Sequence, residues 1–201
     1  MTTPIISILI ATIPGRICDD FPRIVKELLR QKQALAEHKN LIEIIGFFDT
    51  QHRTIGAKRN GLLALAQGSF LAFVDDDDSV APNYLAKLFE TVSENPTADV
   101  VVFDQQCQID DNPPYHCVYG IEYDYVYDGG PLWTGKPAHT MLWASRIAKA
   151  HRFPDLMFGE DSAWARACSL DVKYQARIGE TLYYYHFNSK KTASRHVRPT
   201  E

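Results

Sequence analysis

The sequence lacks several features that would place a protein quickly. Its four cysteines, Cys18, Cys107, Cys117 and Cys168, include no C-x-x-C pair. That argues against the usual dithiol motifs and predicts four reduced thiols in a cytoplasmic protein, with a Cys107–Cys117 bridge across a loop as the alternative. No stretch approaches the ~20 apolar residues of a membrane span. The opening MTTPIISILIATIPGR has neither the basic segment nor the long apolar run of a secretory signal. An excess of positive charge is also missing. The formal net charge is −4, so there is no global footprint for nucleic acid, although a local basic patch is compatible with it. Internal repeats and low-complexity segments are absent.

What is present is ordinary for a soluble globular protein: 201 residues, 45% hydrophobic and 23% charged. That length fits one domain with a sizeable core. Ile5–Thr12, Leu41–Asp49, Ser69–Asp75 and the segment ADVVVFDQQC read as buried strands. Between them, Asp19–Leu35 carries Ile24, Leu28 and Leu29 at helical spacing. Thr54–Gly68 reads as a loop entering a helix that Gly68 stops. Pro82 is expected to open the next helix. Strand and helix alternate in this half, which predicts an α/β fold with a mainly parallel sheet flanked by helices. From about Gln108 the pattern gives way to Pro, Gly and Tyr. Helices are expected near ASRIAKAH and EDSAWARACSL, and a last strand at TLYYYHF, before a basic tail.

The stretch FVDDDDSV puts Asp75, Asp76, Asp77 and Asp78 directly behind a buried strand. In open parallel sheets ligands bind beyond the carboxyl ends of the strands. Clustered carboxylates repel one another unless a cation is present, and a hard ion such as Mg²⁺ or Mn²⁺ prefers such oxygens. A solvated turn, or capping of the following helix by Asp78 and Ser79, explains the same residues without a metal.

The segments ISILIATIPGR, EIIGFFD, GAKRNGLLALAQGSFLAFVDDDDSVAPNYL and FGEDSAWARA occur in an order that resembles glycosyltransferase family 2, the inverting GT-A enzymes. The similarity runs roughly from Ile5 to Arg195 and is densest from Gly56 to Leu85. It implies a single GT-A domain. Residues 1–107 would bind the nucleotide sugar. Residues 108–201 would form an irregular acceptor-binding half with its tail.

The resemblance also implies roles. The first strand's end would cup the nucleotide base at Ala11, Thr12 and Ile13, although TIPGR departs from the family's usual ending, and Arg16 would also bind the nucleotide sugar. Asp49 would read the base or ribose. Lys58 and Arg59 would face the diphosphate, Arg suiting a bidentate contact. Asp75 would contact ribose or metal-bound water, with Asp76 beside it on the nucleotide sugar. Asp77 would ligate Mn²⁺ or Mg²⁺, with His186 as a further ligand. Asp161 would be the general base that takes the acceptor's proton, and Glu160 would orient the acceptor's hydroxyls. Trp133 and His139 would line the acceptor pocket. Lys190, Lys191, Arg195, His196 and Arg198 would close over the diphosphate.

The resulting expectation is inverting transfer from a nucleotide-diphosphate sugar, a UDP-sugar by family habit, to an acceptor hydroxyl. The acceptor would be a glycan, or more rarely a hydroxymethylated DNA base. Two other readings compete. A nucleotidyltransferase would open on a Gly-rich loop, which TIPGR matches poorly. A non-catalytic nucleotide-sugar or glycan-binding module would be expected to lose one of Asp75, Asp77 or Asp161.

Overall fold

The computed structural model describes residues 3–127 and 131–188. The basic tail from Lys190 to Arg198 therefore lies outside the described residues.

In chain order the elements are β1 (Ile6–Thr12), α1 (Asp20–Ala34), β2 (Ile42–Phe48), α2 (Ile55–Leu65), β3 (Phe70–Phe73), β4 (Ser79–Val80), α3 (Tyr84–Glu94), β5 (Val100–Ile109), β6 (Tyr115–Tyr119), β7 (Val126–Tyr127), β8 (Leu132–Gly135), β9 (Leu142–Ala144), α4 (Ser145–Ala148), α5 (Glu160–Ser169) and β10 (Gln175–Phe187). One sheet runs β2-β1-β3-β9-β5-β6-β8-β7, with β10 on β5 and β4. Its longest ladders, β1 on β2 and β10 on β5, are parallel. This is the mainly parallel α/β architecture expected from the alternation of strands and helices. β1 lies between β2 and β3, and all seven of its residues are buried, which is why ISILIAT shows no polar alternation.

Four local expectations are corrected. Leu29 of α1 is exposed, and Gln31 takes the buried position instead. Gln31 is satisfied there, donating to the Ala81 carbonyl and accepting from the Leu85 N–H. Pro82 does not open a helix, because α3 starts at Tyr84 with Asn83 as its N-cap. Asp78 and Ser79 do not cap it either. Ser79 and Val80 form β4 against Tyr184 and Tyr183 of β10. The carboxylate of Asp78 accepts from the Tyr183 hydroxyl at 2.7 Å and the His186 N–H at 2.8 Å.

The fourth is the end of α2, which stops at Leu65 with Ala66 as its C-cap rather than at Gly68. β9 is an element that periodicity does not reveal. Its three residues, LWA, wedge antiparallel between β3 and β5. They are too few to show a period, yet they bring the second half of the chain into the middle of the sheet. Trp143 of β9, Trp164 of α5, Phe73 of β3 and Phe153 pack together, Phe153 stacking on Trp164 at 4.5 Å between centroids. This aromatic block lies under the site. All four cysteines are free thiols, and the Cys107 and Cys117 sulfurs lie 2.9 Å apart on neighbouring strands β5 and β6.

Candidate active site

The carboxyl ends of β1, β2 and β3 converge. Beyond them a cavity of about 1080 Å³ runs from Ile13, Arg16 and Asp75–Asp77, past Glu160 and Asp161, to Tyr119, Tyr125 and Trp133.

The Gly-x-x-Arg-Asn element at the start of α2 has a readable physical purpose. Thr54 caps the helix, its hydroxyl accepting from the Ala57 N–H. Gly56 packs so closely on the 153–156 loop that a Cβ there would lie 1.9 Å from the Pro154 carbonyl oxygen. Asn60 donates to the Phe153 carbonyl and accepts from the Phe153 N–H. Gly56 and Asn60 thus fasten α2 to the loop that leads into α5. Between them, Arg59 crosses the gap. One guanidinium nitrogen donates to Asp75 at 2.8 Å and the other to Glu160. The guanidinium also lies over the Phe73 and Phe153 rings, 5.9 and 5.7 Å from their centroids.

The aspartates differ sharply from one another. Burial opposes the charge of Asp75, but Arg59 and then His139 overcome it and hold its pKa well below the carboxylate range. The Tyr183 hydroxyl accepts from the Asp75 N–H and donates to Asp78, pinning the turn. Arg16 reaches Asp76 and Asp77 at 2.7 Å each. Even so, burial raises the pKa of both, and neighbouring carboxylates add to it. Asp77 is pushed up to about 6. Asp78, almost wholly buried, is raised well above its ordinary value, by burial and then by Asp75. The cluster is therefore short of positive charge.

α5 begins where Gly159 adopts φ 79°, in the left-handed region that favours glycine. Glu160 and Asp161 follow in its first turn. Glu160 is buried, and burial raises its pKa against the opposing pull of Arg59. Its carboxylate faces Arg59, where the sequence had pointed to acceptor hydroxyls. Asp161 stays half-exposed in the cavity wall, its Oδ1 accepting from the Ser162 N–H at 2.7 Å. Its Oδ2 lies 3.7 Å from His139 Nδ1.

The remaining sequence candidates divide. Ile13, Arg16, Lys58, Trp133 and His139 line the cavity. Asp49 does not. It is buried behind Lys58, whose ammonium lies 2.6 Å from it and also donates to the Thr12 carbonyl. Burial raises the Asp49 pKa, but Lys58 and two backbone N–H groups bring it below its ordinary value. The Thr12 side chain is buried away from the lining. His186 is exposed, with its ring at Ser79 Oγ, 3.1 Å away, and it is not part of the lining.

Among the described residues, no three His, Cys, Asp or Glu side chains converge as a ready-made metal cage. The donor chemistry at Asp77 still suits a hard divalent ion. It offers carboxylate oxygen at the cavity wall, partly exposed, in a cluster short of positive charge. Magnesium-type sites commonly use one or two such carboxylates together with substrate phosphates.

A mainly parallel sheet whose strand ends carry an acidic turn, facing an acidic helix start, defines the GT-A class. The profile of "Glycosyl transferase family 2" matches residues 19–149, and the chain belongs to that family. Among curated proteins, none matches the sequence. Solved structures with the same fold include S. aureus TarS, at TM-score 0.64 and 17% identity over 90% of this chain and 36% of that one. The TarS 1–349 complex with UDP-GlcNAc gives 0.66 and 16%, over 95% of this chain and 61% of that one. Its UDP complex gives 0.62 and 16%, over 92% and 61%. The chain thus spans between 36% and 61% of the length of these neighbours. No helix among the described residues is long and apolar enough to cross a membrane.

Proposed function

We propose that this chain transfers a sugar from a nucleotide-diphosphate donor to an acceptor hydroxyl, with inversion at the anomeric carbon. One observation carries the reading. Asp75 and Asp161 face each other across a single imidazole, in one cavity whose two ends differ in chemistry. The end near β1 and β3 has Arg16, Lys58, Arg59 and the aspartates, which suit a nucleoside diphosphate. The far end has Tyr115, Tyr119, Tyr125 and Trp133, which suit a ring.

In this reading Asp161 removes the acceptor's proton as its oxygen attacks the anomeric carbon. Arg59 and Arg16 counter the diphosphate's charge and orient it. Glu160 acts on Arg59, holding the guanidinium in place rather than touching the acceptor. Asp75 meets the ribose. Asp77 would hold Mn²⁺ or Mg²⁺ together with the diphosphate. When bound, that ion supplies Lewis-acid stabilisation of the leaving group.

The aromatic end supports a glycan acceptor over a DNA base. Among the described residues, the cation in the lining there is Lys136, whose ammonium already donates to the Ile121 carbonyl at 2.6 Å, while Arg166 lies over the Tyr125 ring, 4.9 Å from its centroid. Duplex DNA binding relies on several phosphate contacts.

The test is calorimetric titration of a panel of nucleoside diphosphates with and without Mn²⁺. Metal-dependent binding of one nucleotide is expected. No binding to any of them would return the aspartates to a structural turn and favour a non-catalytic module.

A further inference from the structure

His139 is buried where the donor and acceptor ends of the cavity meet, and it is the one histidine lining that cavity among the described residues. Its position is fixed from both sides. The Trp143 indole and the Met141 N–H both donate to the Ala138 carbonyl, and Gln105 donates to Thr140. The ring is tilted against Phe73, 6.3 Å between centroids. The charged groups facing it are Asp75 after β3, Arg59 on α2, and Glu160 and Asp161 on α5.

The two ring nitrogens have different neighbours. Nε2 is 3.3 Å from Asp75 Oδ2 and 3.2 Å from Arg59 Nη2. Arg59 Nη2 carries two N–H bonds and gives one to Asp75 Oδ1, so Nε2 can either accept the other or donate to Asp75 Oδ2. A proton on Nε2 gives Asp75 Oδ2 a donor. The other tautomer would accept from Arg59 at Nε2 and point its N–H toward Asp161, and the relay takes the first of the two. With Nε2 protonated, the lone pair of Nδ1 faces Asp161 Oδ2 at 3.7 Å. Catalytic contacts of that kind are commonly longer before substrate binds.

We propose that His139 is a proton relay behind Asp161. This rests on the reading of Asp161 as general base. In the transfer step the acceptor O–H bond breaks and its oxygen forms a bond to the anomeric carbon. The bond from that carbon to the diphosphate oxygen breaks, its electron pair leaving on the diphosphate. The acceptor's proton goes first to Asp161 and then to Nδ1 of His139. The imidazolium so formed keeps both N–H bonds, one toward Asp161 and one toward Asp75. Asp161 is thereby a carboxylate again while the cavity is still filled, and the ring's extra proton leaves to solvent after the products do. Asp75 thus gains a second role, stabilising the protonated relay.

The test has two parts. The first is ¹⁵N–¹H spectroscopy of the histidine rings at pH 8, with the His139 signals assigned by their loss in His139→Gln. The relay requires Nε2–H and a bare Nδ1. The Nδ1–H tautomer would overturn it, whatever the chain turns over. The second is turnover of a panel of UDP-sugars, with water as the acceptor, by the wild type, His139→Gln and His139→Ala. Gln keeps an N–H for Asp75 but cannot carry the proton. For His139→Gln the expectation is near-normal donor binding with kcat reduced about 10²-fold, the lower end for general acid–base effects. Added imidazoles should restore His139→Ala, more strongly as their basicity rises. Wild-type kcat in His139→Gln, or rescue indifferent to basicity, would overturn the relay and leave the transferase reading standing. A wild-type chain that neither binds nor turns over any nucleotide sugar would overturn that reading, and the relay with it.

Discussion

Arg59 and Glu160, 101 positions apart in the chain, form a buried ion pair that joins the acidic-turn side of the cavity to the helix carrying Asp161. Both side chains are about nine-tenths buried or more, so neither charge can fall back on water.

Removing one member of that pair leaves the other buried and uncompensated. Arg59→Met should therefore lower unfolding free energy by about 3 kcal/mol, the lower end for breaking a buried pair. The double variant Arg59→Met/Glu160→Gln should recover part of the loss, because the stranded carboxylate is gone. Urea unfolding of the two variants at pH 7 measures this. With Glu160→Gln as the third variant, losses that simply add would show that the pair is not coupled.

Gly56 is needed for a close approach, since its φ is not positive and a Cβ would run into Pro154. Gly56→Ala should cost about 1–3 kcal/mol, as overpacking does. It should also weaken transfer, because the displaced loop leads into Glu160 and Asp161. Stability and turnover measured on the same preparation would show the two losses together.

Asp77 has a pKa of about 6 in the fold, above the usual 3.8. A raised acid favours folding most below its unfolded pKa, and that advantage is lost as pH rises from about 4 through 6. Asp77→Asn, which carries no charge, should therefore be more stable than wild type at pH 8, by on the order of 1 kcal/mol after solvent screening. The gain should vanish near pH 4. Metal-dependent donor binding should be lost in the same variant. Urea midpoints across pH, beside calorimetry in Mn²⁺, check both halves.

Asp161 is half-exposed, and its side chain accepts from the neighbouring Ser162 N–H. Asp161→Asn should keep that bond, the fold and donor affinity, while transfer falls by at least about 10²-fold. Near-normal transfer would mean that the base is another group.

The sequence by itself determined the family, the α/β class, and the strand ends where the acidic turn would sit. Those signals are local. Buried parallel strands read as unbroken apolar runs, Gly-x-x-Arg-Asn leads into a helix, and four aspartates follow a strand. Asp75, Asp77, Asp161 and Arg59, which line the cavity, were singled out on these grounds or on the resemblance the ordered motifs carry.

Tertiary structure decided which of these groups meet. Asp49 and Lys58 satisfy each other, and Glu160 turns to Arg59, because a charge taken from water must find a partner wherever the fold puts one. His186 pairs with Ser79 because β10 runs antiparallel to β4. His139 owes its position between Asp75 and Asp161 to β9, three residues too short for any period to betray. Spacing along the chain specifies a strand or a helix. It carries no information about contacts made across a sheet assembled from both halves of the molecule.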